Sequence, residues 1–513
     1  MQGLHWLDYA VLLSYLLLVV AVCLRVARRS PDAEELFLAG RSLGVGVVGL
    51  SLFASNISST TLIGLPGAAW QSGISVANYE WMAGLVLVFT AVFITPTLIG
   101  TRVTTIPELM ERRFDGRMRR YLSAVMLFLS LVLDTAGSLY AGALVLKMFF
   151  PALELGMTCA ALALFAGLYT TAGGLRAVAY TDVVQSLVLL GGSAVLAAIV
   201  FAQFDWSWAS VVAQVAPDKL SLIRPIDDPA LPWLGTLIGL PILGFYYWTM
   251  NQYVSQRLLG ARDADTAARG ALLAAVLKLL PLFLMVLPGA MATVLLPDLE
   301  RADLVYPSLI ARYAPAGIAG LILAGLLAAI MSSIDSALNS AATLLSMDFV
   351  QPRWPRLRAQ QLTRVGRLFT MALVIAAALW APMIERFSGL FDYLQQTFAY
   401  VTPPLVAVFL LGFYSRVGTT AARRALLSGH ALSAGWFAAT QAGWIALHFT
   451  IVAGLLFVFT LLAAGLWQAL LREAAETPLA RTPFGATRKP SAVVVRGAAW
   501  LVAATGLLVW LFR

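Results

Sequence analysis

The sequence predicts an all-α integral membrane protein of about fourteen transmembrane helices, ten of them in two five-helix halves of opposite orientation. Three observations predict it. Of 513 residues, 60% are hydrophobic and only 12% charged, about half the charged share of a soluble domain; mean hydropathy is +0.83. Lysine and arginine divide unevenly between alternate loops. Two apolar stretches are interrupted, in corresponding places, by Gly, Pro, Ser and Asn.

A hydrocarbon core of roughly 30 Å takes about 20 apolar residues per helix. That window places spans near 8–26, 45–69, 78–101, 121–149, 155–173, 180–203, 231–254, 270–297, 315–345, 368–385, 392–413, 424–446, 449–471 and 492–512. The first is expected to be retained. It opens on Asp8 with no Lys or Arg ahead of it, and no small-x-small site precedes Arg25, Arg28 and Arg29. With the N-terminus outside, the inner loops hold 27 Lys and Arg and the outer side seven, with Lys278 inside a span. Cytoplasmic loops carry such an excess, and an omitted span would invert the loops beyond it and erase the split. Both termini then lie outside, in a multi-pass protein of the plasma membrane. The net charge of +9 is topology; the bilayer is the partner it implies, and nucleic acid is not.

No soluble domain remains, so function resides within the membrane. None of the four lysines follows a glycine, so there is no Walker A loop to bind ATP phosphates. His5, His430 and His448 are scattered and form no zinc motif. Cys23 and Cys159 both lie in apolar segments and offer no disulfide framework. A gradient-driven carrier, a channel, or a membrane enzyme without a familiar motif is what remains; the chain is not expected to be an enzyme.

Five ionisable groups fall inside spans: Glu80, Asp134, Lys278, Asp335 and Asp392. Charge in hydrocarbon is costly, so such groups mark a pathway or site. The competing reading is snorkelling at an interface or a structural ion pair. The second span runs Ala54-Ser-Asn-Ile57-Ser-Ser-Thr-Thr61 and then Gly64-Leu-Pro66-Gly67; the seventh holds Pro241, Gly244 and the run Tyr246-Tyr247-Trp248-Thr249-Met250-Asn251. Irregular backbone at this depth is tolerated where it lines a wet cavity or is buried in protein. Interrupted segments in matching positions of two halves point to a transporter site, against the alternative of two ordinary kinked helices. The halves are 45–203 and 231–413, flanked by 1–44 and by three further spans in 424–513. Five is odd, so the second half starts from the opposite side and the repeat is inverted.

In the ninth span Ala329, Ser332, Ser333 and Ser336 share one helix face. Two hydroxyls and the Ala329 carbonyl, set across from free carbonyls between Ala54 and Ile57, make a neutral cage of oxygens. Hard cations prefer oxygen, and a neutral cage lets the ion leave again. The same small residues would equally serve close helix packing.

Several motifs extend this reading: Tyr79-Glu-Trp81, Gly173-Gly-Leu175 with Tyr180-Thr-Asp182, Asn251-Gln-Tyr253 with Gln256-Arg257, Leu277-Lys-Leu-Leu-Pro281 running to Pro288-Gly289, Leu338-Asn-Ser340, and Phe391-Asp-Tyr-Leu-Gln395 before Pro403-Pro404. With them, from about Phe37 to Arg416, the chain resembles the solute:sodium symporter family, in its sodium/glucose cotransporter branch. The resemblance implies a LeuT-type fold with Na+ as coupling ion. It implies sodium held by the carbonyls of Ala54, Ile57 and Ala329 and the hydroxyls of Ser332 and Ser333. It implies a second cation site at Asp182, Ser336 and Asp335, where Asp335 replaces what is more often a hydroxyl residue and either binds the cation or carries a proton. Sugar-contacting positions correspond to Asn56, Glu80, Lys278 and Gln395, and the aromatic inner gate to Tyr247 with Trp248. Two positions depart from the pattern: Thr61 stands where a longer His or Gln is common, and Gly244 where a polar group is common. The expected function is sodium-coupled import of a sugar or related polyhydroxy solute. The rivals are a symporter for another small solute such as a polyol or a carboxylate, a channel or sensor, and a membrane enzyme.

Overall fold

The computed structural model describes residues 5–26, 33–150, 152–386, 390–482 and 489–513. Within them the chain is helical throughout, and its β pairing is confined to one isolated bridge, Leu43 to Ala261. Among the described residues nine helical segments are long and apolar enough to cross a membrane, and a bent pair adds a tenth. Shorter apolar stretches occur at Trp6–Val22 and Leu155–Gly167. Helix Phe449–Leu471 exposes Leu462, Leu466 and Leu470, and helix Ala492–Leu511 exposes Trp500, Leu507 and Trp510. In water such faces would drive association; in lipid they are solvated by acyl chains.

The bent pair is the predicted break. Helix Val45–Asn56 ends where Ile57 leaves helical backbone at ψ 75, and Ser58 is extended at ψ 174. Ser58 then caps the next helix, Ser59–Ser72, by accepting from the Thr61 N–H at 3.3 Å. The axes turn by 55°. Ser and Asn side chains offer the backbone local bonds that compete with the helical ladder, and Ser is a preferred N-cap. The Ser58 N–H bonds the Asn56 carbonyl at 2.7 Å, not that of Ala54, so the Ala54 carbonyl loses its ladder partner at the bend. The second half of the pair packs closely: a Cβ on Gly289 would fall 2.4 Å from the Pro66 carbonyl oxygen.

The second interruption falls at Asn251. A π-helical turn, Tyr246–Met250, precedes it, and Asn251 has ψ 124 before helix Gln252–Leu259 begins. Its side chain accepts from the Tyr253 N–H, again a polar cap at the break.

One expected boundary is absent. Spans near 155–173 and 180–203 imply a short joint over 174–179, but helical backbone runs unbroken over Leu155–Ala202, 48 residues. At about 1.5 Å per residue a straight helix of that length would reach roughly 72 Å, more than twice a hydrocarbon core of about 30 Å. The segment therefore carries two apolar stretches, Leu155–Gly167 and Leu175–Ala202, with Arg176 at the start of the second. Arg176 bonds the Ala39 carbonyl and Ser42 and pairs with Glu35.

Helix Ile318–Leu344 is the most enclosed element, buried along nearly its whole length. It packs against Leu155–Ala202 and the broken pair. Its Ala, Ser and Gly surface permits that approach.

Candidate solute and cation sites

The breaks surround a cavity of about 120 Å³. One wall is the first bend, with Ser55, Asn56, Ser58 and Thr61. Tyr79, Glu80 and Ala83 come from helix Ala77–Phe89 and its entry. Leu243, Gly244, Tyr247, Trp248 and Tyr253 come from the second interrupted segment. Leu133, Asp134 and Ser138, then Leu394, Gln395 and Phe398, and Ser333 complete it. Six of the seven expected solute contacts, Asn56, Thr61, Glu80, Tyr247, Trp248 and Gln395, thus line one space, mixing polar tips with aromatic faces.

Lys278 stands behind this wall. It is fully buried, ion-paired with Glu80 and hydrogen-bonded to the Asn56 Oδ1. Its ammonium lies 4.9 Å from the Trp248 ring centre and 6.0 Å from that of Phe53. Three donors and no acceptor suit it to this cage: it neutralises Glu80 and fixes the Asn56 oxygen, and both of these residues line the cavity.

Thr61 spends its hydroxyl proton on the Asn56 carbonyl at 2.9 Å and keeps acceptor capacity only. Gly244 has a packing reason: a Cβ there would approach Val86 to 3.3 Å. The two departures noted in the sequence are thus a side chain turned to its own backbone and a close helix contact, where even a methyl group would press on Val86.

Tyr247 closes one side through an aromatic cluster. Its ring meets Trp248, Tyr253 and Phe398 edge-on at 5.3, 5.7 and 6.1 Å, and its hydroxyl bonds that of Tyr253. Edge-to-face pairs of this kind add about 0.5–1.5 kcal/mol each, so the cluster holds the Tyr247 ring in place against this side of the cavity.

The expected cation ligands gather between the first bend and helix Ile318–Leu344. Ala54, Ile57, Ala329 and Ser332 are buried, while Ser333 reaches the cavity wall beside Ser55 and Asn56. The Ser333 hydroxyl rests on the Ala329 carbonyl at 2.9 Å. Ser332 donates to Asp182 Oδ1 at 2.6 Å.

Asp182 is the hub of a larger network. Its Oδ2 accepts from Ser51 at 2.5 Å, from Ser55 at 3.4 Å and from the Arg257 Nη2 at 3.2 Å. Arg257 also bonds Ser51, the Tyr253 carbonyl and Ser336. Both partners of this ion pair are fully buried. The sequence counts Arg257 among the cytoplasmic basic residues; the structure removes it from the surface, because helix Gln252–Leu259 continues the broken segment inward and turns this guanidinium into the protein. Asp182 and Ser336 are thus brought together, with Arg257 between them. Asp335 is buried on an adjoining face, near Tyr15 and Gln185. The side chain of Asp392 lies outside the described residues.

Arg257, Ser51 and Ser55 are the network members that sequence reasoning missed. The signal was present in the Gln256-Arg257 pair, which closes an apolar segment with no turn residue until Gly260.

Comparison with known proteins agrees with this geometry. The sodium:solute symporter family matches residues 36–429. The chain is 37% identical over 463 residues to the sodium/myo-inositol cotransporter 2 of Mus musculus, covering 82% of this chain and 68% of that one. It is 35% identical over 450 residues to the sodium/glucose cotransporter of Vibrio parahaemolyticus, covering 82% of each. The fold matches the substrate-bound outward-open state of a Na+-coupled sialic acid symporter with TM-score 0.81 at 24% identity, over 92% of this chain and 99% of that one. A nucleobase-cation-symport-1 transporter in a closed conformation matches at TM-score 0.55 and 17% identity, over 92% and 99%. A match of this extent, on a helical membrane fold broken where a carrier site is expected, identifies the chain as a member of the sodium:solute symporter family.

Proposed function

We propose that this protein is a sodium-coupled symporter of the plasma membrane that imports a neutral sugar or polyol by alternating access. The observation that carries the reading is the cavity at the two helix breaks: polar tips and aromatic faces for a hydroxylated ring, with Glu80 already neutralised by Lys278. The cotransporter relatives for glucose and myo-inositol support the solute class.

In this reading sodium binds the carbonyls of Ala54, Ile57 and Ala329 and the hydroxyls of Ser332 and Ser333. Ser333 turns from the Ala329 carbonyl so that both oxygens face the ion. Sodium pins the two arms of the bend and orders Asn56 and Thr61 for the solute. Asn56, Glu80 and Gln395 bind hydroxyls, Thr61 accepts one, Trp248 stacks, and Lys278 positions Glu80 and Asn56. Tyr247 is the inner gate. A second cation at Asp182, Asp335 and Ser336 requires Arg257 to release Ser336. The halves 45–203 and 231–413 form a LeuT-type inverted repeat within fourteen spans, with 1–44 and 424–513 flanking and both termini outside. A carboxylate solute fits less well, because Lys278, the cation at this wall, is already committed to Glu80.

A thermal-shift panel of sugars and polyols, with and without sodium, tests this. A sodium-dependent stabilisation by a neutral polyhydroxy solute is expected. Stabilisation by carboxylates alone, or by sugars irrespective of sodium, would overturn it.

A further inference from the structure

Asp134 has no part in the scheme so far, yet it lines the cavity. It is carried by a π-helical turn, Ser130–Thr135, set between the helices Gly116–Leu129 and Ala136–Phe149. Such turns insert a residue into the ladder and occur frequently at functional sites, because they re-aim a side chain at some cost in backbone bonding. Here the Thr135 hydroxyl bonds the Ser130 carbonyl at 2.9 Å within the turn. The contact to the Asp134 carboxylate is the Asn251 amide at 3.4 Å, the long limit of a hydrogen bond, from the residue that breaks the second half.

The ion pairs around the cavity balance without it. Glu80 is matched by Lys278, and Asp182 by Arg257. None of the ion pairs among the described residues includes Asp134, so its carboxylate, when ionised, adds a negative charge that neither pair offsets. One coupling cation at the first bend would bring an occluded site holding a neutral solute to zero. An anionic solute would leave a net charge enclosed in a low-dielectric site, which is strongly unfavourable.

We infer that Asp134 selects neutral hydroxyl-bearing solutes over anions, its carboxylate accepting a solute hydroxyl and repelling a solute carboxylate. This rests on the proposed sodium-coupled uptake of a polyhydroxy solute and names the residue that sets the charge class. A hydrogen bond to an ionised group contributes about 1.5–3 kcal/mol, so losing its charge is expected to weaken solute binding about tenfold or more.

The test is uptake in proteoliposomes with D-glucose, D-galactose and myo-inositol as neutral probes, and D-glucuronate and D-galacturonate as anionic counterparts of the first two. In the native protein at least one neutral probe is taken up with sodium, and the uronates inhibit that uptake at least about 100-fold less well than the neutral probes do. Asp134→Asn raises KM for the neutral probe about tenfold and narrows that ratio by a similar factor. Asp134→Glu keeps the ratio. Equal acceptance of uronates by the native protein overturns the inference, with no variant needed. So does an unchanged ratio in an Asp134→Asn protein that still gives a sodium-dependent thermal shift. Absence of sodium-driven uptake of every neutral probe by the native protein instead fells the underlying reading, and the inference with it.

Discussion

Lys278→Met removes the cation from a cage that leaves it no access to solvent. Glu80, only 9% exposed at its side chain, then keeps its charge without a partner, and the Asn56 Oδ1 loses its donor. Breaking a buried pair from one side costs about 3–5 kcal/mol, because the remaining charge stays desolvated. Glu80→Gln strands the lysine and costs a similar amount. Replacing both removes the stranded charge, and buried pairs exchanged for neutral groups are often close to neutral in stability. The double variant Glu80→Gln/Lys278→Met is therefore expected to recover most of the loss, with a coupling of at least about 2 kcal/mol in the double-mutant cycle. Thermal unfolding in detergent measures the cycle, and sodium-dependent uptake reads the function. Both single variants lose uptake by about 100-fold or more, the equivalent of roughly 3 kcal/mol. The double variant regains fold but not transport, since the ionised acceptor for the solute is gone and Asn56 has lost the donor that held it. Single losses below about 1 kcal/mol, or strictly additive ones, would refute the buried pair as the organiser of this wall.

Further expectations follow from the same geometry. Ser333→Ala removes a cation oxygen and its bond to Ala329, so half-saturating sodium in uptake assays rises at least about tenfold; unchanged sodium affinity would remove Ser333 from the site. Arg257→Lys lacks the planar fork that reaches Asp182, Ser336 and Ser51 together, so it fails to restore the folded, monodisperse protein that Arg257→Gln loses; normal size-exclusion behaviour of either would contradict the network. Gly244→Val pushes against Val86 and separates the helices that form the cavity, abolishing uptake while expression persists. Burial alone would raise the Asp228 carboxyl, but the N–H groups of Leu231 and Ala230 and the Arg224 guanidinium outweigh it and hold it below its ordinary range. Its contribution to stability is therefore complete above the ordinary carboxylate value of about 4 and is lost as pH falls through the lowered one. Asp228→Asn should lower thermal stability at neutral pH and converge with the native protein at acid pH, flattening the acid limb; equal stability of the two at neutral pH would contradict this.

Local chemistry made the first break readable. Ala54 to Thr61 crowds hydroxyl and amide side chains into an apolar segment, and each of them prefers a cap to a helix interior. The solute cavity was legible because its ionisable groups are out of place in hydrocarbon: Glu80 and Lys278 stand out singly, and the structure shows that they stand out together. Two features were hidden. The joint over 174–179 reads as a short loop beside a Gly pair, yet glycine in a helix costs only about 1 kcal/mol each relative to alanine, which packing along Leu155–Ala202 overrides. Arg257 reads as a loop cation, because charge counting cannot see a partner 75 residues away. The Asp182 pair is a tertiary fact: it exists only once the second broken segment brings Arg257 to helix Leu155–Ala202, which carries Asp182.

The central claim is coupling, and concentrative uptake measures it most directly. The native protein is reconstituted in proteoliposomes and given an inward tenfold sodium gradient and an inside-negative potential of about 100 mV. One sodium moving inward then releases roughly 3.7 kcal/mol. The neutral solute found in the thermal-shift panel should accumulate against its gradient, toward a limit of about 500-fold per sodium, and carry an inward positive current. Uptake that stops at equal concentrations, or proceeds equally with sodium replaced by choline, would contradict the account.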